Sequence, residues 1–392
     1  MGLGIRTRLR RWRHGPYVSD EYAEARRLAA LLREPAGRLL DPPADDAPLH
    51  VAFVVPFFSR GSGGHMTIAN LVRALERCGH RCSLWIDDPG RRLRDGAQAV
   101  ADLRAWFGPF AAGVVYGLDG FAGADVVLAT GWQTAARVRT LPAAGRAYLV
   151  QDHEPEFFAT SVQRHYAQDS YRHGLYPITA GAWLADVMGD TYNLPATPFD
   201  LGIDAQRWRP QPEVARRDDV VVAYARATTP RRAVPVVLTA LEELLGRRPQ
   251  TEVWLYGHGG DAGVGFPHRN LGVVPEARLP AIYAEATVGL VLSMTNYSLA
   301  AQEMLSCGLP CVELDAPSVV RAFGRDGPVD FAPLDPYALA DAVQRLLDDP
   351  GLRARRAEAG ASLREERTWD HAAEQVEEGL RAAIAFTRLG VR

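Results

Sequence analysis

Glu303 stands in a segment that switches from one periodicity to another. The apolar run Val288 to Ser293 ends in a short polar loop, after which Leu299, Ala300, Met304 and Leu305 recur at helical spacing until Gly308 and Pro310 stop the pattern. A helix opening near Ser298 and Leu299 aims its first backbone N–H groups, and the positive end of its dipole, at whatever lies beyond the strand. A carboxylate inside that helix can accept hydrogen bonds from sugar hydroxyls, so the segment suits an anionic, polyhydroxylated ligand. Arg226 and Arg231 follow the apolar run Val220 to Tyr224. Two guanidinium groups at a strand end can neutralise a pyrophosphate through bidentate hydrogen bonds, and more strongly as charge builds on a leaving group. Gly61, Gly63 and Gly64 follow the strand-like HVAFVVPF, where the lack of a Cβ lets backbone approach a diphosphate or a sugar. A solvated arginine loop and a plain tight turn are the bland alternatives for these two segments.

A third group of polar residues sits where other apolar runs end. Asp125 to Ala129 opens into Thr130, Gly131 and Trp132, and Ala147 to Val150 opens into Gln151, Asp152, His153, Glu154, Pro155 and Glu156. Residues at the carboxyl ends of parallel strands face the crevice in which α/β proteins bind ligands. Asp152, His153, Glu154 and Glu156 are also potential metal ligands, but neighbours on one strand end rarely converge on one ion. A surface loop is the remaining alternative.

These residues need a scaffold of alternating strands and helices. His50 to Phe57, the glycine loop, a helix from Met66 to Arg77 and a strand Cys82 to Ile86 make one βαβ unit. Gly61-x-Gly63 with Asp87 or Asp88 downstream begins a dinucleotide-binding fingerprint, yet Met66 occupies the third glycine position. Further on, helical patterning around Ser161 to Arg172 precedes a strand end and helix over Ile178 to Met188. Charge concentrated over Glu213 to Asp219 marks a boundary. Beyond it come the strand Val220 to Tyr224, a helix Val234 to Leu245, strands Glu252 to Tyr256 and Arg269 to Val274, and a helix Ala277 to Ala286. Amphipathic helices over Asp335 to Asp348 and Pro350 to Arg367 precede a last helix from Trp369 to Arg388. At the other end, Ser19 caps a helix through Arg33, and Asp41 to Pro48 reads as a linker.

At 392 residues the chain exceeds the size at which one core stops growing, so two domains are expected. The net charge of -3 argues against general nucleic-acid binding. Cys78, Cys82, Cys307 and Cys311 lie in apolar surroundings that favour buried thiols over a metal site or a disulfide framework. No signal peptide and no apolar run of about 18 residues is visible, which predicts a cytoplasmic chain. Residues 1–14 interleave five arginines with Leu3, Ile5, Leu9 and Trp12. Such a segment is either a disordered basic tail or a peripheral contact with the anionic inner face of the cell membrane.

The segment around Glu303 resembles the signature region of family 4 glycosyltransferases, retaining enzymes of the GT-B fold. Their pattern is Glu, seven residues, Glu, then a small-residue helix ending in Cys-Gly-x-Pro. Glu303, Met304, Cys307, Gly308 and Pro310 match, whereas Thr295 stands at the first acidic position, where the family's Glu contacts the donor sugar. GSGGHMTIANLVRALERCGHRC is similar to the family's first loop and helix, and FDLGIDAQRWRP to its inter-domain stretch. The strings YLVQDHEPEFF and SYRHGLYPITAG are similar to those of bacterial rhamnosyltransferases that build surface glycans.

The resemblance implies two Rossmann-like parallel-sheet α/β domains facing across a cleft, an amino-terminal one over 48–205 and a donor domain over 206–367. A basic extension and helix, 1–47, would precede them, and a helix crossing back, 368–392, would follow. It implies catalytic roles for His153, Arg226, Arg231 and Glu303. Donor contacts would come from Gly63, Gly64, Arg226, Arg231, Arg269, Val273, Thr295, Ser298, Leu299 and Glu303, and acceptor contacts from His65, Asp152 and Trp132. The implied reaction is retaining transfer of a sugar, L-rhamnose from dTDP-rhamnose, to a glycan or lipid-linked acceptor, with domain closure and with neither metal nor cofactor. An NAD-dependent Rossmann enzyme and an inactive GT-B partner in glycan assembly are the rival readings.

Overall fold

The structure is a computed structural model, described here for residues 17–93, 95–260 and 263–390. The expected contact of residues 1–14 with a membrane lies outside the described residues.

Thirteen strands among the described residues form two parallel sheets. The first is built from β1 (His50–Val55), β2 (Arg81–Ile86), β3 (Gly113–Tyr116), β4 (Ala124–Ala129), β5 (Ala143–Val150), β6 (Tyr176–Ala180) and β7 (Thr197–Phe199), in the order β3-β2-β1-β4-β5-β6-β7. The second contains β8 (Val220–Tyr224), β9 (Glu252–Tyr256), β10 (Arg269–Gly272), β11 (Val288–Leu290), β12 (Cys311–Leu314) and β13 (Val329–Ala332), in the order β10-β9-β8-β11-β12-β13. The central strands read as continuous Val, Ile, Leu and Ala runs because both faces are covered; every residue of β5 is buried, and all but the first of β1. In each sheet the second and third strands lie to one side of the first strand and the later ones to the other. This reversal is the topological switch point at which such sheets bind ligands.

The chain divides into two compact units, residues 1–149, 165–178 and 377–392 in one and 150–164 and 179–376 in the other. The second unit holds all six strands of the second sheet, over a core that includes Val221, Val237, Leu241, Leu290, Val312 and Leu346. In the first unit, residues 377–389 of the last helix, Trp369–Leu389, lie directly on the sheet. A Cβ on Gly145 of β5 would come 2.8 Å from the backbone nitrogen of Ile384, and Glu377 pairs with His80 at 3.1 Å.

Local chemistry sets several boundaries. Asp95, Asp335 and Asp349 each cap a helix by accepting a backbone N–H of its first turn. The helix after the glycine loop opens at Gly63, three residues ahead of the expected Met66, so Gly63 and Gly64 belong to its first turn. The first helix starts at Tyr17, ahead of the expected cap at Ser19. The run Val288 to Ser293 is strand only as far as Leu290, and β10 stops at Gly272, short of Val274. Just ahead of the expected linker, Leu40 donates its N–H to the O of Ala143, the first residue of β5, at 3.1 Å.

Candidate functional site

β8 and β11 are hydrogen-bonded neighbours at the switch point of the second sheet. The loops that leave their carboxyl ends, 225–233 and 291–298, therefore run side by side, and the Met294 N–H donates to Arg231 O at 3.0 Å. Arg226 and Arg231, both half-buried, lie in the first loop; Thr295 and Ser298 lie in the second.

The centre of this arrangement is Asp152. One carboxylate oxygen, Oδ1, accepts from the backbone N–H groups of His153 at 2.9 Å and Asn296 at 3.0 Å. Oδ2 accepts from Thr295 Oγ1 at 3.0 Å and lies 3.5 Å from Arg231 Nε. Burial raises the Asp152 pKa against the opposing pull of Arg231 and of the Asn296 and Thr295 hydrogen bonds. The Arg231 guanidinium stands 4.5 Å over the Phe157 ring, and burial lowers its pKa while Asp152 raises it. Thr295 is only 4% exposed, beneath the carboxylate that its hydroxyl holds.

Asn296 locks the loop. Its Nδ2 donates to Gln151 O at 3.0 Å and Ala180 O at 2.7 Å, and its Oδ1 accepts from the Tyr297 N–H at 3.0 Å. His153 pairs through Nε2 with Tyr192 Oη at 3.0 Å, and its Nδ1 lies 3.5 Å from Glu156. Burial lowers the His153 pKa, with Glu156 the largest opposing influence, so the imidazole is neutral at pH 7. The Asp152 carboxylate thus turns to Arg231, Thr295 and Asn296, while the His153 and Glu156 side chains face each other. Among the described residues, no group of three His, Cys, Asp or Glu side chains is placed to hold a metal ion, and all four cysteines are free.

A polar relay runs beneath the two loops. Arg232 Nη1 donates to Ser293 Oγ at 2.7 Å and to Leu292 O at 3.3 Å, and Ser293 Oγ donates onward to Glu313 at 2.9 Å. Glu313, on β12, also accepts from the N–H groups of Ser293 and Leu314 at 2.7 and 2.9 Å. Burial pushes its pKa up to about 7, against the Leu314 hydrogen bond and Arg232. Sequence reasoning missed Asn296, Ser293, Arg232 and Glu313. The available signal was Glu313 itself, the one charged residue of the buried strand CVEL.

Ser298 caps the helix Leu299–Ser306, its Oγ accepting from the Ala300 N–H at 3.2 Å; Leu299 is half-buried. Glu303 in this helix is half-buried, and burial together with Glu276 pushes its pKa up to about 8, Arg207 opposing. Glu303 in turn adds to the burial that raises the pKa of Tyr256 and Tyr283, which share a hydrogen bond of 2.8 Å, and Trp208 stacks on Tyr283 with ring centroids 6.1 Å apart. At the end of β10, Val273 is 75% exposed, beside the glycine turn that follows β9. Gly257 in that turn has φ +94°, and a Cβ there would meet the Tyr224 ring at 2.7 Å. Arg269 lies at the opposite end of β10, its guanidinium 5.3 Å over the Trp254 ring.

In the first unit, Gly61 adopts φ +78°, and the space around Gly63 is open. His65 is held by Ser62 Oγ at 2.8 Å between the rings of Phe58 and Phe107, and burial lowers its pKa to about 4. Trp132 begins the helix Trp132–Arg139, almost buried, 6.3 Å from the Tyr166 ring. Asp88, a candidate ribose-binding acid on the dinucleotide reading, has its oxygens engaged by the Arg92 and Leu93 N–H groups at 3.1 and 2.7 Å.

Residues 218–349, which carry the two loops and the relay, match the family model of glycosyl transferases group 1. The chain is 29% identical over 264 residues to the O-antigen biosynthesis protein RfbC of Myxococcus xanthus, covering 65% of this chain and 20% of that protein. It is 28% identical over 176 residues to a phosphatidyl-myo-inositol mannosyltransferase of Mycobacterium tuberculosis, covering 41% and 46%. The chain thus spans less than half the length of these relatives. Among solved structures, Anabaena HepE in complex with UDP-glucose superposes with a TM-score of 0.63 at 15% identity, over 85% of this chain and all of that one. The two parallel sheets and this likeness establish the GT-B fold.

Proposed function

We propose that the chain is a retaining glycosyltransferase that moves a sugar from a nucleoside-diphosphate sugar to a glycan or other sugar-containing acceptor, with dTDP-L-rhamnose as donor. The observation that carries this reading is the pair of loops at the switch point of the second sheet, cationic through Arg226 and Arg231, within the segment that matches the group 1 family. The name of the Myxococcus relative places that protein in O-antigen biosynthesis, which supports a surface-glycan product. The rhamnosyltransferase-like strings support the sugar.

On this reading Arg226, Arg231 and the helix opening at Ser298 and Leu299 receive the diphosphate, Glu303 binds ribose hydroxyls, and exposed Val273 meets the base. Gly63 and Gly64 are secondary donor contacts and His65 and Trp132 contact the acceptor, whereas Arg269, at the far end of β10 and over the Trp254 ring, is not placed among them. The anomeric carbon–phosphate oxygen bond breaks, the acceptor oxygen bonds to that carbon on the same face, and the departing phosphate takes the acceptor proton. No protein base is needed, and neutral His153 positions the sugar. Residues 1–14 would place the chain at the inner face of the membrane, where lipid-linked acceptors lie. Flotation with anionic vesicles tests this by comparing the full chain with one starting at residue 15; equal flotation removes the contact.

The functional test is a panel of dTDP-rhamnose, UDP-glucose, GDP-mannose and NAD. Calorimetry and donor hydrolysis should show binding and slow turnover of dTDP-rhamnose that survives exhaustive EDTA. Tight NAD binding without nucleotide-sugar binding would overturn the assignment. Binding without hydrolysis or transfer would favour the inactive-partner reading, and turnover of another sugar nucleotide would correct the donor.

A further inference from the structure

We infer that Asp152 is the residue that reads the donor sugar: its carboxylate accepts a hydroxyl of the sugar next to the diphosphate and excludes donors whose sugar is itself anionic. The inference rests on the proposed function and gives Asp152 a donor role in place of the acceptor role that the family resemblance implies.

Three observations carry it. The carboxylate is anchored independently of Arg231, because the N–H groups of His153 and Asn296 and the hydroxyl of Thr295 hold it at 2.9 to 3.0 Å. It therefore stays in place when Arg231 turns to another anion. Second, Arg231 is the cation assigned to the diphosphate, and Asp152 Oδ2 lies 3.5 Å from its Nε. A diphosphate that draws the guanidinium away takes a counter-charge from Oδ2 and sets a new negative charge beside it. A neutral hydroxyl satisfies that oxygen, whereas another anion is repelled by it. The sugar covalently joined to the diphosphate is the hydroxyl-bearing group within reach. Third, Thr295 is 4% exposed with its hydroxyl on Asp152, so recognition at this point of the loop passes through the Asp152 carboxylate.

The same distances predict a transplant. Thr295 Oγ1 lies 3.0 Å from Oδ2, so a Glu side chain at 295 reaches the space that the Asp152 carboxylate vacates in Asp152→Ala. The experiment measures Kd for dTDP and for dTDP-rhamnose, or for UDP and UDP-glucose should those bind instead, together with kcat, in wild type, Asp152→Asn, Asp152→Ala and the double variant Asp152→Ala with Thr295→Glu. UDP-glucuronate serves as the anionic-sugar probe, and thermal melts check folding.

Both single variants should keep nucleoside-diphosphate affinity within a few-fold. They should lose about 10- to 100-fold in kcat/KM for the sugar nucleotide and bind UDP-glucuronate more tightly than wild type does. The double variant should regain at least about 10-fold of that kcat/KM. Single variants that retain the wild-type kcat/KM, or that lose dTDP and UDP binding along with the sugar nucleotide, overturn the inference. Failure of the wild type to bind any nucleotide overturns the functional reading instead.

Discussion

Burial tunes the acid–base state of individual groups in the second unit. Glu303, with its pKa near 8, is a protonated acid at neutral pH, able to donate as well as accept a hydrogen bond. A folded-state pKa raised above the ordinary value stabilises the fold fully below pH 4.5, and that stabilisation disappears as pH rises through about 8. Glu303→Gln should remove this dependence. Urea unfolding should show the variant gaining about 3 kcal/mol over wild type between pH 5.5 and pH 9, and a constant difference would contradict the burial argument. Arg231 makes the complementary case. Arg231→Ala should raise the donor KM and lower kcat, for a combined loss of about 100-fold. Steady-state kinetics with an unchanged kcat/KM would remove it from the site.

Elements, rather than single residues, explain the relay from Arg232 through Ser293 to Glu313. β8, β11 and β12 are consecutive neighbours, so the residues just past or within them stack in one plane beneath the ligand loops. Glu313→Ala would orphan the Ser293 N–H and leave a cavity; unfolding should show a loss of about 2–4 kcal/mol, with Glu313→Gln costing less. A loss confined to activity, with stability intact, would mean the relay is not part of the core. The strands themselves were legible: Val220–Tyr224 and Glu252–Tyr256 fall where their apolar runs predict. A buried parallel strand has few ways to be written, so composition suffices to find it. The partners of Asp152 were not legible, because Thr295 and Asn296 lie 143 and 144 residues away along the chain. No local periodicity encodes such a pairing; it follows only once the loops at the switch point are placed. Glu303 and Ser298 were readable because a helix start and a carboxylate within the helix are local features.

At the scale of the whole molecule, the last helix serves both units in turn. Its first turns belong to the second unit, where Trp369 packs on Gly202, and residues 377–389 belong to the first. Truncation after Val376 would remove the fully buried Leu380 and Ala383 and the Glu377 partner of His80. Limited proteolysis should then cut within residues 50–149 while 220–349 stays protected; equal protection of both would show that the helix adds nothing to the first unit.

One buried cation has a practical consequence for anyone expressing this chain. Among the described residues, Arg146, 4% exposed within β5, directs its guanidinium to carbonyls alone, those of Leu141 at 3.0 Å, Gly37 at 2.5 Å and Arg38 at 3.4 Å. Two of these three acceptors belong to the segment ahead of β1. An affinity tag joined in front of Tyr17 leaves them in place, but a shortened version beginning at residue 48 strips a sealed-in positive charge of most of its solvation. That version should be recovered as aggregate even though both sheets remain intact in its sequence.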